Sequence, residues 1–202
     1  MPRNVEIKAK LGTKERFDQV CARAEAISDQ PMKVLEQYDT FFHCEDGRLK
    51  LRVLMDSGVG HLIYYQRGDQ GGPKQSVYNI YVTDDPLRLE TVLKNALGAT
   101  GEVQKTRQLY MVGQTRIHLD TVKGLEGYFM ELEVVLTQEQ TEEEGQAIAT
   151  DLMQKLGIRK EDLLEGAYMD LLRTTSSDVP KTEKHVLEQQ QDHVSSNKKQ
   201  RT

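Results

Sequence analysis

Glu131 and Glu133 stand two residues apart in Tyr128-Phe-Met-Glu-Leu-Glu-Val-Val-Leu136, a strongly β-forming stretch. Successive side chains of a strand point to opposite faces, so Phe129, Glu131, Glu133 and Val135 share one face. Met130, Leu132, Val134 and Leu136 share the other, which can be buried in hydrocarbon. Two carboxylates held side by side repel each other unless the face is solvated or a hard divalent cation is bound through their oxygens. The same division recurs with basic residues. Glu6, Lys8 and Lys10 alternate with Ile7 and Ala9; Lys50 and Arg52 alternate with Leu49, Leu51 and Val53. Arg67, the pair Lys105 and Arg107, and the set Arg116, His118 and Asp120 sit in similar surroundings.

Strands with ions on one face and hydrocarbon on the other suggest an inverted barrel, with its apolar core outside and a polar, wet interior. Crowded cations cost several kcal/mol each when buried unpaired. A polyanion relieves that cost, because guanidinium forks and ammonium groups match phosphate oxygens. A phosphate chain, Mg²⁺ or Mn²⁺, basic side chains and carboxylates form one self-consistent set. It serves phosphoryl or nucleotidyl transfer by positioning and electrostatics. His118 is read as a structural, hydrogen-bonding histidine in preference to a proton carrier.

The elements that must hold these residues follow from periodicity. Eight strands are expected near 3–11, 32–43, 48–55, 61–67, 75–82, 102–110, 115–121 and 128–136. Most are joined by short turns, such as Glu45-Asp46-Gly47, which favours antiparallel pairing. Eight strands suffice to close a barrel. Helices are expected after Thr13, from Pro86 to Leu97, from Gln138 to Leu156, and as a broken segment over 160–172. Their apolar stripes would cover the outer faces of the sheet. The expected class is therefore α+β: a closed eight-stranded antiparallel barrel with helices packed outside. Residues 1–173 form the domain; 174–202, poor in hydrocarbon, form a disordered polar tail.

Composition removes several function classes. A net charge of −5 gives no general attraction for nucleic acid or anionic lipid. No apolar run approaches the roughly 20 residues of a membrane span, and Met1 to Lys10 has no signal-peptide pattern. Cys21 and Cys44 lack metal-type spacing and suit a reduced, cytoplasmic setting.

Asn4-Val-Glu6-Ile-Lys8, Leu49-Lys50-Leu-Arg52, Lys105-Thr-Arg107, Arg116-Ile-His-Leu-Asp120 and Phe129-Met-Glu131-Leu-Glu133 together resemble the CYTH superfamily, the triphosphate tunnel metalloenzymes, over roughly residues 3–172. The opening motif and the Val112-to-Asp120 segment look most like the class IV adenylyl cyclase branch. The resemblance implies an eight-stranded antiparallel tunnel. It implies metal binding by Glu6, Glu131 and Glu133 with help from Asp120, and phosphate binding by Lys8, Lys50, Arg52, Arg67, Lys105, Arg107 and Arg116. Tyr168, in Gly-Ala-Tyr-Met-Asp-Leu-Leu, resembles the family's closing segment near one tunnel mouth. The family's first motif is usually Glu-x-Glu-x-Lys; here Asn4 replaces the first Glu, offering an amide oxygen without charge and leaving the number of metals open. The expected function is hydrolysis of triphosphate-containing substrates with Mg²⁺ or Mn²⁺ by a monomer or homodimer. Alternatives are a class IV-type cyclase making cyclic AMP and pyrophosphate from ATP, and a non-catalytic polyphosphate or nucleotide sensor.

Overall fold

The computed structural model describes residues 2–68 and 72–177, with side chains through 175. Eight strands close into one antiparallel barrel: β1 (Arg3–Lys10), β2 (Lys33–Phe42), β3 (Arg48–Leu54), β4 (Gly60–Arg67), β5 (Lys74–Thr83), β6 (Ala99–Val112), β7 (Thr115–Val122) and β8 (Phe129–Leu136). Their order around the barrel is β1-β5-β4-β3-β2-β6-β7-β8. β1 is thus hydrogen-bonded to both β5 and β8. Closure leaves no sheet edge to protect and fixes which side chains share the interior.

Helix α1 (Lys14–Ile27) starts where the Thr13 side chain accepts from the Arg16 backbone N–H. Helix α3 (Glu142–Leu156) opens with a reciprocal capping box between Thr141 and Glu144, and three glutamates suit the positive end of its dipole. These two helices cover the outer faces of β1, β7 and β8. Phe17, Val20 and Ala24 from α1 and Ala149, Leu152 and Leu156 from α3 pack with Val5, Ile7, Leu119, Leu132 and Val134. Gly145 makes the approach of α3 possible: a Cβ there would lie 2.6 Å from Leu136 Cδ2 and 2.7 Å from Val5 Cγ2. The hydrocarbon core therefore lies outside the barrel, behind the strands that carry Glu6, Glu131 and Glu133.

Coverage is incomplete, contrary to expectation. Helix α2 (Pro86–Leu97) leaves Leu87 71% and Val92 57% exposed, and Tyr81 on β5 is 65% exposed. Helix α2 touches β2 and β3 without burying its apolar stripe, whereas α1 and α3 are packed into the core. Helix α3 begins at Glu142, four residues later than expected, because Thr141 takes the cap position. The broken helical segment is a 3₁₀ turn (Lys160–Asp162) followed by helix α4 (Tyr168–Ser177). Helix α4 continues through residues 174–177, where a polar tail was expected to begin; 178–202 lie outside the described residues. No helix among the described residues is long and apolar enough to cross a membrane.

Candidate functional site

The inward face of the barrel gathers residues far apart in sequence by register alone. On the β1–β8 ladder Lys8 lies opposite Glu131 and Glu6 opposite Glu133. On β7–β8 His118 faces Glu131 and Arg116 faces Glu133. Arg107 pairs with Asp120 across β6–β7, and Asp39 with Arg52 across β2–β3. Side chains two apart on a strand share a face, so these pairs stack into layers along the barrel axis.

The interior holds an open-ended cavity of about 350 Å³. All seven expected phosphate-binding cations line it: Lys8, Lys50, Arg52, Arg67, Lys105, Arg107 and Arg116. Four carboxylates line it with them, Glu6, Asp39, Glu131 and Glu133, so the cations exceed the carboxylates by three. Lys10, on the same face of β1, is exposed beyond the cavity wall. Ala167 and Tyr168 line one end; the Lys8 ammonium lies 4.0 Å from the Tyr168 ring centre. Toward the other ends of the same strands the lining becomes apolar, with Leu35, Leu54, Ile80 and Leu109 beside Tyr78.

Each cation has a protein counter-ion. Arg67 Nη1 donates to Glu6 Oε2 at 2.6 Å, and Arg116 Nε to Glu133 Oε2 at 2.7 Å. Lys8 Nζ lies 3.1 Å from Glu131 Oε1. Arg107 makes a two-point pair with Asp120 at 2.7 and 2.6 Å and a third bond to Glu131 Oε2 at 2.6 Å. Charge-assisted pairs of this kind hold their geometry tightly.

Asp39 is the site residue that the sequence reading missed. Its carboxylate receives Arg52, Lys50 and Lys105. Burial pushes its acidity down, but Arg52, Lys105 and Lys50 outweigh that and hold it well below the usual carboxylate range. The signal was present: Asp is depleted in strands, yet Asp39 sits on the Gln37 and Phe41 face of a β-rich segment.

Asp120, expected to assist at the metal, is placed differently. It is 0% exposed and is not in the cavity wall. Arg107 occupies both of its oxygens, and the Tyr168 hydroxyl donates to Oδ2 at 2.8 Å. Here Asp120 fixes Arg107. Burial opposes its ionisation, and Arg107 prevails, lowering its pKa below the ordinary value.

His118 also departs from expectation. It is 4% exposed, yet its Nδ1 has no hydrogen-bond partner among the described residues. Nδ1 lies 3.9 Å from Glu133 Oε1 and 4.0 Å from Glu131 Oε2, too far for a hydrogen bond. Burial, reinforced by Arg107, brings the imidazole down to about 3, so it is neutral at physiological pH. Glu133 is brought down to about 2: burial opposes this, but His118, already protonated at such acidity, and Arg116 prevail. Ligand atoms of His118, Glu131 and Glu133 all lie within 4.8 Å of one another. Two ionised carboxylates and an orphaned, buried nitrogen fit a divalent cation. Glu6 shares the cavity but stands outside that close group. Asn4 lines the cavity with its buried Oδ1 unpartnered among the described residues, a neutral acceptor where a carboxylate would add charge.

The CYTH domain family matches this chain over residues 2–168. No curated protein matches it. Among solved structures, the PH1012 protein of Pyrococcus horikoshii OT3 is similar, with TM-score 0.71 and 22% identity, over 84% of this chain and 99% of its own. A Vibrio parahaemolyticus protein with a provisional adenylate cyclase assignment has TM-score 0.66 and 18% identity, covering 84% of this chain and 97% of that one. The Hippeastrum protein HpAC1, a provisional adenylyl cyclase described as showing a dominant triphosphatase activity, has TM-score 0.60 and 14% identity, covering 85% and 95%. At these identities the likeness is one of fold.

Proposed function

The chain belongs to the CYTH domain family, and from that premise we propose that it is a divalent-metal-dependent hydrolase of triphosphate-containing substrates, inorganic, nucleoside or thiamine triphosphate. The observation that carries this reading is the excess of cations over carboxylates lining the barrel cavity. Such an interior is complementary in charge to a polyanion, whose oxygens can take over cations now shared among fewer carboxylates.

Arg52, Lys50 and Lys105 hold one stretch of the phosphate chain, exchanging Asp39 for phosphate oxygens. Arg107, locked by Asp120, presents its guanidinium to the chain without having to reorganise when charge shifts during transfer. Arg116, Arg67 and Lys8 complete the row. Glu131 and Glu133, with Glu6 in the same cavity, would hold Mg²⁺ or Mn²⁺. That cation would supply Lewis-acid charge at the phosphoryl oxygens. The protein's part is then alignment: transfer through a loose transition state asks for in-line placement and charge neutralisation more than for a strong base. Water attacks the terminal phosphorus, the bridging P–O bond breaks, and the products are phosphate, the shortened polyphosphate and the proton released from water. We place the reaction in the cytoplasm, in keeping with two unpaired cysteines, and in a monomer or homodimer.

A cyclase reading has one observation in its favour, the apolar rim of Leu35, Leu54, Ile80, Leu109 and Tyr78, which can receive an organic group at the end of the chain. There the 3′-hydroxyl of ATP would attack the α-phosphate and pyrophosphate would leave. Incubation with tripolyphosphate, ATP and thiamine triphosphate under Mg²⁺ and Mn²⁺, with products separated by chromatography, decides between the two. Phosphate release is expected. Cyclic AMP with pyrophosphate would replace the hydrolase reading, and no turnover of any of the three would remove both.

A further inference from the structure

His118 is an expensive residue to leave as it stands. A buried ring nitrogen without a partner forfeits roughly 1–3 kcal/mol of solvation, and packing alone does not require a polar atom there. The nitrogen is aimed at two carboxylates yet bonds neither, at 3.9 and 4.0 Å. Arg116 holds Glu133 by its far oxygen, Oε2, leaving Oε1 turned to the imidazole, whereas on Glu131 the oxygen facing the ring, Oε2, itself accepts from Arg107. Lys8 and Arg107 hold Glu131 from two directions. A carboxylate has about four lone-pair sites, so Glu131 keeps acceptor capacity beyond those two bonds.

Around an ion with bonds of about 2.1 Å, neighbouring ligand atoms stand about 3.0–3.4 Å apart and opposite ones about 4.2 Å. At 3.9 and 4.0 Å the imidazole–carboxylate separations exceed the neighbouring-ligand spacing by roughly 0.5–1 Å, so the donors must draw together to share one cation. Asp120, by contrast, has both oxygens occupied and lies behind Arg107 and Tyr168, which screen it from the cavity.

We propose that His118 Nδ1 is a direct ligand of the divalent cation held by Glu131 and Glu133, and that this mixed imidazole–carboxylate set takes Mn²⁺ in preference to Mg²⁺. The inference rests on the metal-dependent reading above and adds to it a residue and a metal preference. An all-oxygen site suits Mg²⁺, which sheds its waters reluctantly and gains little from nitrogen donors. Imidazole favours transition metals, and Mn²⁺ stands at the weak end of that series, so the preference should be real but moderate. The ring adds a donor without adding charge, which matters where Lys8 and Arg107 already offset part of the carboxylates' attraction.

The test uses the full-length protein, stripped of metal and loaded with Mn²⁺ alone, and reads the spin-echo modulation of the bound ion. A directly bound imidazole nitrogen gives a coupling that changes when histidine is ¹⁵N-labelled. The expected result is that this coupling is present, is lost in His118→Asn, and persists in His61→Asn, which alters the other histidine lining the cavity. Should His118→Asn fail to fold, His118→Gln is read in its place, with loss of the coupling again expected. Titration should show His118→Asn weakening Mn²⁺ about tenfold or more while Mg²⁺ changes less than about threefold. Mn²⁺ bound with no nitrogen coupling overturns the role of His118 and leaves the metal-dependent reading standing. Failure to bind Mn²⁺ or Mg²⁺ at all overturns both.

Discussion

Asp39 lies directly across the β2–β3 ladder from Arg52 and accepts from its Nε and Nη2, each at 2.7 Å. The same carboxylate receives Lys50 and Lys105 at 3.1 Å each. One internal anion therefore occupies three groups that a phosphate chain would use. Removing it leaves buried cations uncompensated, at about 3–5 kcal/mol. Asp39→Asn is expected to lower the melting temperature of the free protein, and tripolyphosphate should raise it by more than in the parent chain. Thermal unfolding with and without tripolyphosphate checks this; equal shifts in the two proteins would mean that Asp39 does not stand in for phosphate.

Asp120 separates two roles, orienting Arg107 and binding metal, by whether metal affinity falls together with turnover. If it orients Arg107 and binds no metal, Asp120→Asn should leave Mn²⁺ affinity within about twofold while slowing turnover on the order of a hundredfold, the scale on which a misplaced positioning group acts. Tyr168→Phe, which removes the hydroxyl at 2.8 Å from Oδ2, should show the same pattern more weakly. A tenfold loss of metal affinity in Asp120→Asn would return it to the ligand set.

The barrel and its polar lining are legible in the sequence because alternation is a local signal. Glu131 and Glu133, or Lys50 and Arg52, are two residues apart, and one strand suffices to put each pair on one face. What is not legible is which charge meets which, since that depends on register between strands that are neighbours only in space. β1 meets β8 across more than a hundred residues, and Lys8 opposite Glu131 follows from that alone. Asp120 and His118 show the cost. They share a face of β7, yet one ends behind Arg107 and the other turns into the cavity with a free nitrogen. Incomplete helical cover was equally hidden: α2 has an apolar stripe, but nothing local says that Leu87 and Val92 find no sheet to bury them.

Lys50 couples binding to protons. Burial, and then Arg52, bring its pKa from 10.5 down to about 8. Between those values the unfolded chain keeps the proton and the native chain gives it up, so this group adds stability as pH rises through that window; below about 8 it is charged in both states and the cost of burying it is felt. Phosphate favours the charged form. Binding of tripolyphosphate near pH 9 should therefore take up protons, and Lys50→Met should reduce the uptake. Calorimetric titrations in two buffers of different ionisation enthalpy measure it; binding at that pH with no proton uptake would contradict the charge state assigned to Lys50.

Gly145 sits where α3 crosses the outer faces of β1 and β8, the strands that carry Glu6, Glu131 and Glu133 on their inner faces. Its backbone is helical, so alanine is favoured there by propensity, by roughly 1 kcal/mol in an open site. A Cβ would, however, meet Leu136 at 2.6 Å and Val5 at 2.7 Å, below any ordinary contact distance. Both neighbours are themselves buried, so neither can swing aside without disturbing the core. Overpacking then wins: Gly145→Ala should destabilise by about 1–3 kcal/mol and Gly145→Val by more. Displacing the helix would also press on β8 from behind and move the metal-facing carboxylates. Denaturant unfolding should show the stability loss, and Mn²⁺ titration of the folded variant should show weaker binding. A Gly145→Ala protein more stable than its parent would mean that α3 stands farther from the barrel than these contacts place it.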